Sequence, residues 1–239
     1  MPTTAESLPL LIYFLPLVDG FNDLGKLESA LNQYQFFNRD IVEKNKKVIQ
    51  PIPIAVIITT KKDKILCIKK TPRSTPKNSP ESGKLLFYAG GHMRQEDETI
   101  NTKRCFIKTI QNTLERELFE ELGISISLDN VAPDFCLYTP QYSENSKKHL
   151  AIGWIILLPE GTKLNLDSYE IVQRKGKSKS GSFLSFSEIE KQFSINDGLV
   201  FESWTKEILL NFFKDEFSEM FINNIDKISE AYQLSLFDD

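Results

Sequence analysis

The chain has 239 residues and a net charge of −4, enough length for one sizeable α/β domain with additions or for two small domains. Its composition, 41% hydrophobic and 11% aromatic, excludes global disorder. The mild negative charge gives no basic footprint for direct nucleic-acid binding and no cationic face for a membrane surface.

The apolar run LPLLIYFLPLV (residues 8–18) is too short to span a bilayer and lacks a basic flank. Its two prolines predict a buried strand or packed arm instead. It opens an N-terminal extension, residues 1–49, in which LGKLESALNQYQFFNRDIVEKN reads as mostly helical, with Leu27, Leu31, Tyr34 and Phe37 near a 3.6 spacing. PIPIAVIITTKKDKILCIKK then gives two β-branched runs around a polar turn, a hairpin. TPRSTPKNSPESG, with three prolines, is a loop, and KLLFYAGGH is a strand running into a glycine pair.

Residues 106–122 carry the clearest helical pattern, with Ile107, Leu114, Leu118 and Leu122 on one side and Gly123 as the C-terminal cap. FCLYTP and HLAIGWIILLP are strands separated by the polar loop QYSENSKK. RKGKSKSGSF is a basic loop, and residues 199–232 return to helical spacing. The expected domains are a core over residues 50–205 and a C-terminal helical segment with a tail over 206–239. Cys67, Cys105 and Cys136 are widely spaced with no CxxC pair, which fits reduced thiols in a soluble, cytoplasmic protein. His92 and His149 are the only histidines, so metal chemistry would use oxygen ligands.

The segment RELFEELGI, residues 116–124, stands out within this pattern. At ~100° per residue a helix sets Glu117, Glu120 and Glu121 on one face. Three carboxylates so close repel one another, so either the face is fully solvated or a cation sits among them. Upstream, GGHMRQED supplies Gly90 and Gly91, with Asp97 in the acidic position. Together these resemble the Nudix box: Gly, five residues, Glu, seven residues, then Arg-Glu-apolar-x-Glu-Glu-x-Gly-apolar. The second half matches throughout. In the first half Asp97 replaces the usual Glu, with Glu98 one step late. Eighteen residues separate Asp97 from Arg116 instead of seven, which marks an eleven-residue insertion at ETINTKRCFIK or nearby.

The resemblance covers residues 50–205. It implies an α/β fold, the Nudix-type α/β/α sandwich with a mixed sheet, plus the N-terminal extension and C-terminal helices. It also implies metal-dependent hydrolysis of the pyrophosphate bond in a nucleoside diphosphate linked to another moiety. Such chemistry needs charge neutralised on phosphate oxygens and a water positioned or deprotonated. Glu117, Glu120 and Glu121 suit Mg²⁺ or Mn²⁺, with the Gly91 carbonyl as a further ligand. Arg116 steadies the carboxylates, and Asp97 or Glu98 completes the shell or fixes Arg116 by an ion pair. The catalytic set is Arg116, Glu117, Glu120 and, as the loop candidate for general base, Glu144; many Nudix enzymes instead take the base from the box helix. His92, Arg94 and Asp97 are the candidate substrate contacts, with Arg73 and Lys77 as weaker ones, and His149 is read as structural. Pro140 and Tyr142 fall near positions where ADP-ribose and dinucleoside-polyphosphate subfamilies respectively carry a Pro or a Tyr. They point in different directions, so neither fixes the substrate beyond a nucleoside diphosphate linked to another moiety.

The segment TINTKR in the insertion is expected as a loop over the site. An alternative is a nucleotide-sensing module with little or no catalysis. Finally, QLSLFDD at residues 233–239 resembles the peptide by which bacterial replication and repair proteins dock on the sliding clamp. Gln233 would hydrogen-bond there while Leu234, Leu236 and Phe237 provide the apolar contact.

Overall fold

Apolar spacing along the chain decides the order of elements in the computed structural model. The structure describes residues 7–10, 15–45, 47–69, 84–98, 105–144, 146–166, 181–195 and 201–225. The chain opens with strands β1 (Ser7–Leu10) and β2 (Gly20–Phe21), helix α1 (Leu24–Leu31), strand β3 (Gln35–Asn38) and helix α2 (Arg39–Lys44). A hairpin follows from β4 (Gln50–Thr59) and β5 (Lys64–Cys67), then β6 (Ala89–Gly90) and helix α3 (Phe106–Leu122). Strands β7 (Phe135–Tyr138), β8 (His149–Leu158) and β9 (Ser182–Ser185) precede helices α4 (Phe186–Ile195) and α5 (Ser203–Phe212). A last helical stretch occupies residues 219–225. The class is α/β with a mixed sheet, as the sequence leads one to expect.

The chain divides into two compact units. The first comprises Met1–Ala55, Gly90–Pro140 and Glu144–Trp154. Its strand order is β2-β7-β8-β4, with β7 antiparallel to both β2 and β8. Across the β7–β8 ladder Phe135 faces Gly153, and a Cβ there would fall 1.9 Å from the Phe135 ring, so the ring demands glycine. Helix α3 buries Phe106, Ile110, Leu114, Leu118 and Leu122, one every fourth residue. Ile107, expected among them, is half-exposed because the i+4 ladder starts one residue earlier, at Phe106. Gly123 ends the helix in the left-handed region at φ 68°, as expected of the cap. The Val131 carbonyl accepts hydrogen bonds from Gln111 on α3 and from the Trp154 indole, which ties the loop after the helix to the sheet.

The run 24–45, expected to be mostly helical, forms α1 and α2 with a strand between them. Asn32 ends α1 by turning its N–H back to the carbonyls of Glu28 and Ala30. The aromatic run that follows becomes β3, paired antiparallel with β1 so that Leu8 faces Phe37. Backbone pairing with β1 overrides the fortuitous helical spacing of this run. KLLFYAGGH is likewise less regular than expected. Only Ala89–Gly90 forms a strand, while Leu85 and Leu86 make single bridges to Phe201 and Ile68. Part of the proposed insertion, Phe106–Lys108, is helical and belongs to α3. The rest of that segment at 99–104, Arg73, Lys77 and the QLSLF tail lie outside the described residues.

The second unit comprises Val56–Ala89, Gln141–Ser143 and Ile155–Asp239. Its strand order is β4-β5-β9, antiparallel throughout. Strand β9 takes in Ser182 and Phe183 at the end of the expected basic loop, because Phe183 and Leu184 pair with Leu66 and Ile65. Helix α5 starts at Glu202, whose buried carboxylate accepts from Trp204 N at 2.8 Å and from the Tyr88 hydroxyl at 3.0 Å. No helix among the described residues is long and apolar enough to cross a membrane.

One side chain in this unit carries a stability prediction. Lys206 is 3% exposed. Burial pushes its ammonium down to about 8, helped by the Lys84 charge and opposed by Glu202 and Glu207. Below pH 8 the folded and unfolded states are both protonated, and folding bears the full desolvation cost. From there towards 10.5 the unfolded state alone keeps the proton, so stability recovers with rising pH. Lys206→Met is therefore expected to raise stability at pH 7 by on the order of 2 kcal/mol. Chemical denaturation at pH 7 and pH 10 should show that gain shrinking at the higher pH.

Candidate active site

The site grows from the second half of α3 and from the chain that leaves β6. Helical geometry places Arg116, Glu117, Glu120 and Glu121 on neighbouring faces. Glu117 and Glu121 are buried, whereas the Glu120 side chain is 44% exposed. Against this helix lies Gly91, where a Cβ would fall 2.6 Å from the Glu117 carboxylate. Only a residue without a side chain allows that approach.

Arg116 organises the cluster. Its Nε and Nη2 donate to Asp97 Oδ1 and Oδ2 at 2.8 and 2.9 Å, a bidentate fork. Nη2 also donates to the His92 carbonyl at 3.0 Å, and Nη1 to Glu117 Oε1 at 2.6 Å and Glu120 Oε2 at 3.2 Å. Burial pulls the guanidinium pKa down, but hydrogen bonds to Asp97 and the charge of Glu117 outweigh it, so the net shift is upward. The cation is thus fixed in place and in charge.

Asp97 is buried and fully engaged. Beyond Arg116 it accepts from Thr113 Oγ1 and from the Arg94 backbone N–H, both at 2.8 Å. Asn112 Nδ2 holds the Asp97 carbonyl at 2.9 Å. A single 3-10 turn, Gln95–Asp97, presents the carboxylate to the helix. Asn112 and Thr113 stand one turn before Arg116 along α3, so helical spacing alone marks the face that Asp97 meets.

Arg94, expected at a substrate phosphate, forks onto Glu120, its Nη1 and Nη2 each 3.2 Å from a carboxylate oxygen. The sequence gives little sign of this pair, because it depends on how the turn approaches the helix. His92 follows Gly91, and its ring meets His149 edge-on with centroids 5.8 Å apart. His149, read as structural, therefore lies beside a candidate site residue. Glu144 sits in an exposed ion pair with Lys147, Oε1 to Nζ 2.6 Å. Tyr142, weighed as a substrate cue, donates to Glu207 at 2.8 Å.

Four acids (Asp97, Glu117, Glu120 and Glu121) stand with two arginines here, an acidic excess suited to a divalent cation. Among the described residues, no group of three or more His, Cys, Asp or Glu stands ready to hold a metal ion. Guanidinium groups occupy oxygens of Glu117 and Glu120. The donors nevertheless fit Mg²⁺ or Mn²⁺ in kind, being hard carboxylate oxygens beside an approachable backbone. To serve a cation Glu120 would have to turn away from its arginines, and exposed ion pairs of that sort cost little to break.

Comparison with protein-family models gives no match, and neither does comparison with curated protein sequences. Among solved structures, Tm1382, provisionally described as a Nudix hydrolase, aligns with a TM-score of 0.58 and 22% identity over 87% of this chain and 100% of its own. A bifunctional NMN adenylyltransferase/ADP ribose pyrophosphatase from Francisella tularensis aligns at 0.47 and 16% identity, over 75% of this chain. The match spans 44% of that bifunctional protein. DR0079 from Deinococcus radiodurans gives 0.41 and 13%, over 72% of this chain and 85% of its own. The last two scores are too low to bear weight, and the fold rests on the first. The chain has the fold of the Nudix hydrolases.

Proposed function

We propose that this chain of Nudix fold is a hydrolase cleaving the pyrophosphate bond of a nucleoside diphosphate linked to another moiety. The observation that carries the proposal is the Arg116 lock, which draws Asp97, Glu117, Glu120 and the His92 carbonyl into one constellation beside Gly91. Glu117, Glu120, Glu121 and the Gly91 carbonyl would hold Mg²⁺ or Mn²⁺. When bound, the cation neutralises phosphate oxygens and makes a water more acidic.

The rest is work for the chain's own groups. Asp97 acts as a positioning residue, because both its oxygens already hold Arg116. Arg116 keeps Glu117 fixed through its 2.6 Å bond, so little reorganisation is needed when charge develops. Arg94, once off Glu120, and His92 would meet substrate phosphates. A carboxylate of the helix, or Glu144 once free of Lys147, takes the proton from the attacking water.

A nucleotide-sensing module is the rival reading, favoured by the double arginine hold on Glu120. A screen of nucleoside diphosphate derivatives with Mg²⁺, read by phosphate release or mass spectrometry, separates the two. Hydrolysis is expected for at least one class and is lost on chelation. Tight binding without turnover across the panel would favour the sensor.

A further inference from the structure

We infer that Tyr34, in the N-terminal segment, is a positioning residue for the proposed hydrolysis, holding the Asp97 turn in place through Glu98; this rests on the hydrolase reading above. Tyr34 is 0% exposed. Its hydroxyl lies 2.8 Å from Glu98 Oε1 and 2.9 Å from Thr109 Oγ1. Its ring packs edge-on against Phe36 and Phe106, with centroids 5.5 and 5.7 Å away. One buried hydroxyl therefore joins the residue next to Asp97 to the first turn of the acidic helix. A phenol so deeply buried is costly unless both its neighbours are polar partners, as they are here.

A second bond from the same segment supports this role. Cys105, at the N-cap of α3, makes no side-chain cap bond. Instead Asn32, the residue that ends α1, accepts the Phe106 N–H on its Oδ1 at 3.0 Å. The N-terminal segment thus caps the helix at one point and grips the turn at another. Asp97 is held from the helix side by Asn112 and Thr113. Tyr34 holds the next residue, Glu98, from the N-terminal segment. Loosening Glu98 would loosen the Asp97 fork on Arg116, and with it the setting of Glu117 and Glu120.

Tyr34→Phe tests this, read by Mn²⁺ affinity from the EPR signal of free Mn²⁺ and by kcat and KM on the substrate found in the screen. The Mn²⁺ dissociation constant should rise roughly tenfold, the usual size for an outer residue that orients metal ligands. The value of kcat should fall in step while KM stays within about twofold. Thr109→Val removes the other partner of the hydroxyl and spares Glu98; it should leave Mn²⁺ affinity and kcat near wild type even where melting temperature drops. Glu98→Ala breaks the same bond from its far end and should reproduce the Mn²⁺ shift. The inference is overturned if Tyr34→Phe lowers only the melting temperature, if Thr109→Val moves Mn²⁺ affinity equally, or if Glu98→Ala leaves it unmoved. Failure of the wild type itself to bind Mn²⁺ and turn over would instead sink the hydrolase reading.

Discussion

Glu120→Gln is expected to lower turnover by about two to three orders of magnitude with almost no change in melting temperature. The substitution keeps the length and an acceptor oxygen but removes one negative charge from the proposed cation site. Glu120 suits this test better than its neighbours. Its side chain is 44% exposed and its ion pairs to Arg94 and Arg116 are surface pairs, worth about 0–1 kcal/mol. Glu117 and Glu121 are buried, so changing either would disturb packing and site together. Steady-state kinetics at saturating Mg²⁺ and a thermal melt suffice. A variant with wild-type turnover would mean that Glu120 does not serve the cation.

The glycine pair should fail in two different ways. Gly90 has φ +150°, and a Cβ there would lie 2.2 Å from the Pro53 carbonyl oxygen and 2.9 Å from Ile54 Cα. Both obstacles are backbone of β4, which cannot yield without breaking the sheet. Gly90→Ala is therefore expected to cost about 3 kcal/mol or more of stability, combining strain with overpacking. At Gly91 the obstacle is the Glu117 carboxylate, 2.6 Å away, and a side chain can swing aside. Gly91→Ala should keep most of the stability but displace a proposed ligand, so turnover should fall steeply. Denaturant unfolding and kcat measured on both variants would check this crossed pattern. Equal stability losses at the two positions would contradict it.

Much of this was legible before the structure because it is local. A leucine every fourth residue and a terminal glycine mark α3, and β-branched runs around KKD mark the hairpin. Strand β3 was not legible, because its partner β1 lies some two dozen residues upstream while its aromatics happen to satisfy a helical period. At the site, Arg116 and the glutamates announce themselves through spacing within one helix. Asp97 was harder to assign, since the longer connection shifts it out of the usual register and leaves both a ligand and an ion-pair role open. The Arg94–Glu120 and Tyr34–Glu98 contacts span 26 and 64 positions. Such pairs depend on tertiary approach, and no local pattern encodes them.

The most direct measurement is hydrolysis of the preferred substrate in water enriched in ¹⁸O, followed by mass spectrometry of both products. Attack by water on phosphorus should place one ¹⁸O on a single phosphate-bearing product, only with Mg²⁺ or Mn²⁺ present, and far more slowly in Glu120→Gln. Label on a sugar hydroxyl, or equal product formation after chelation, would contradict the assignment of this acidic helix as a metal-dependent pyrophosphohydrolase centre.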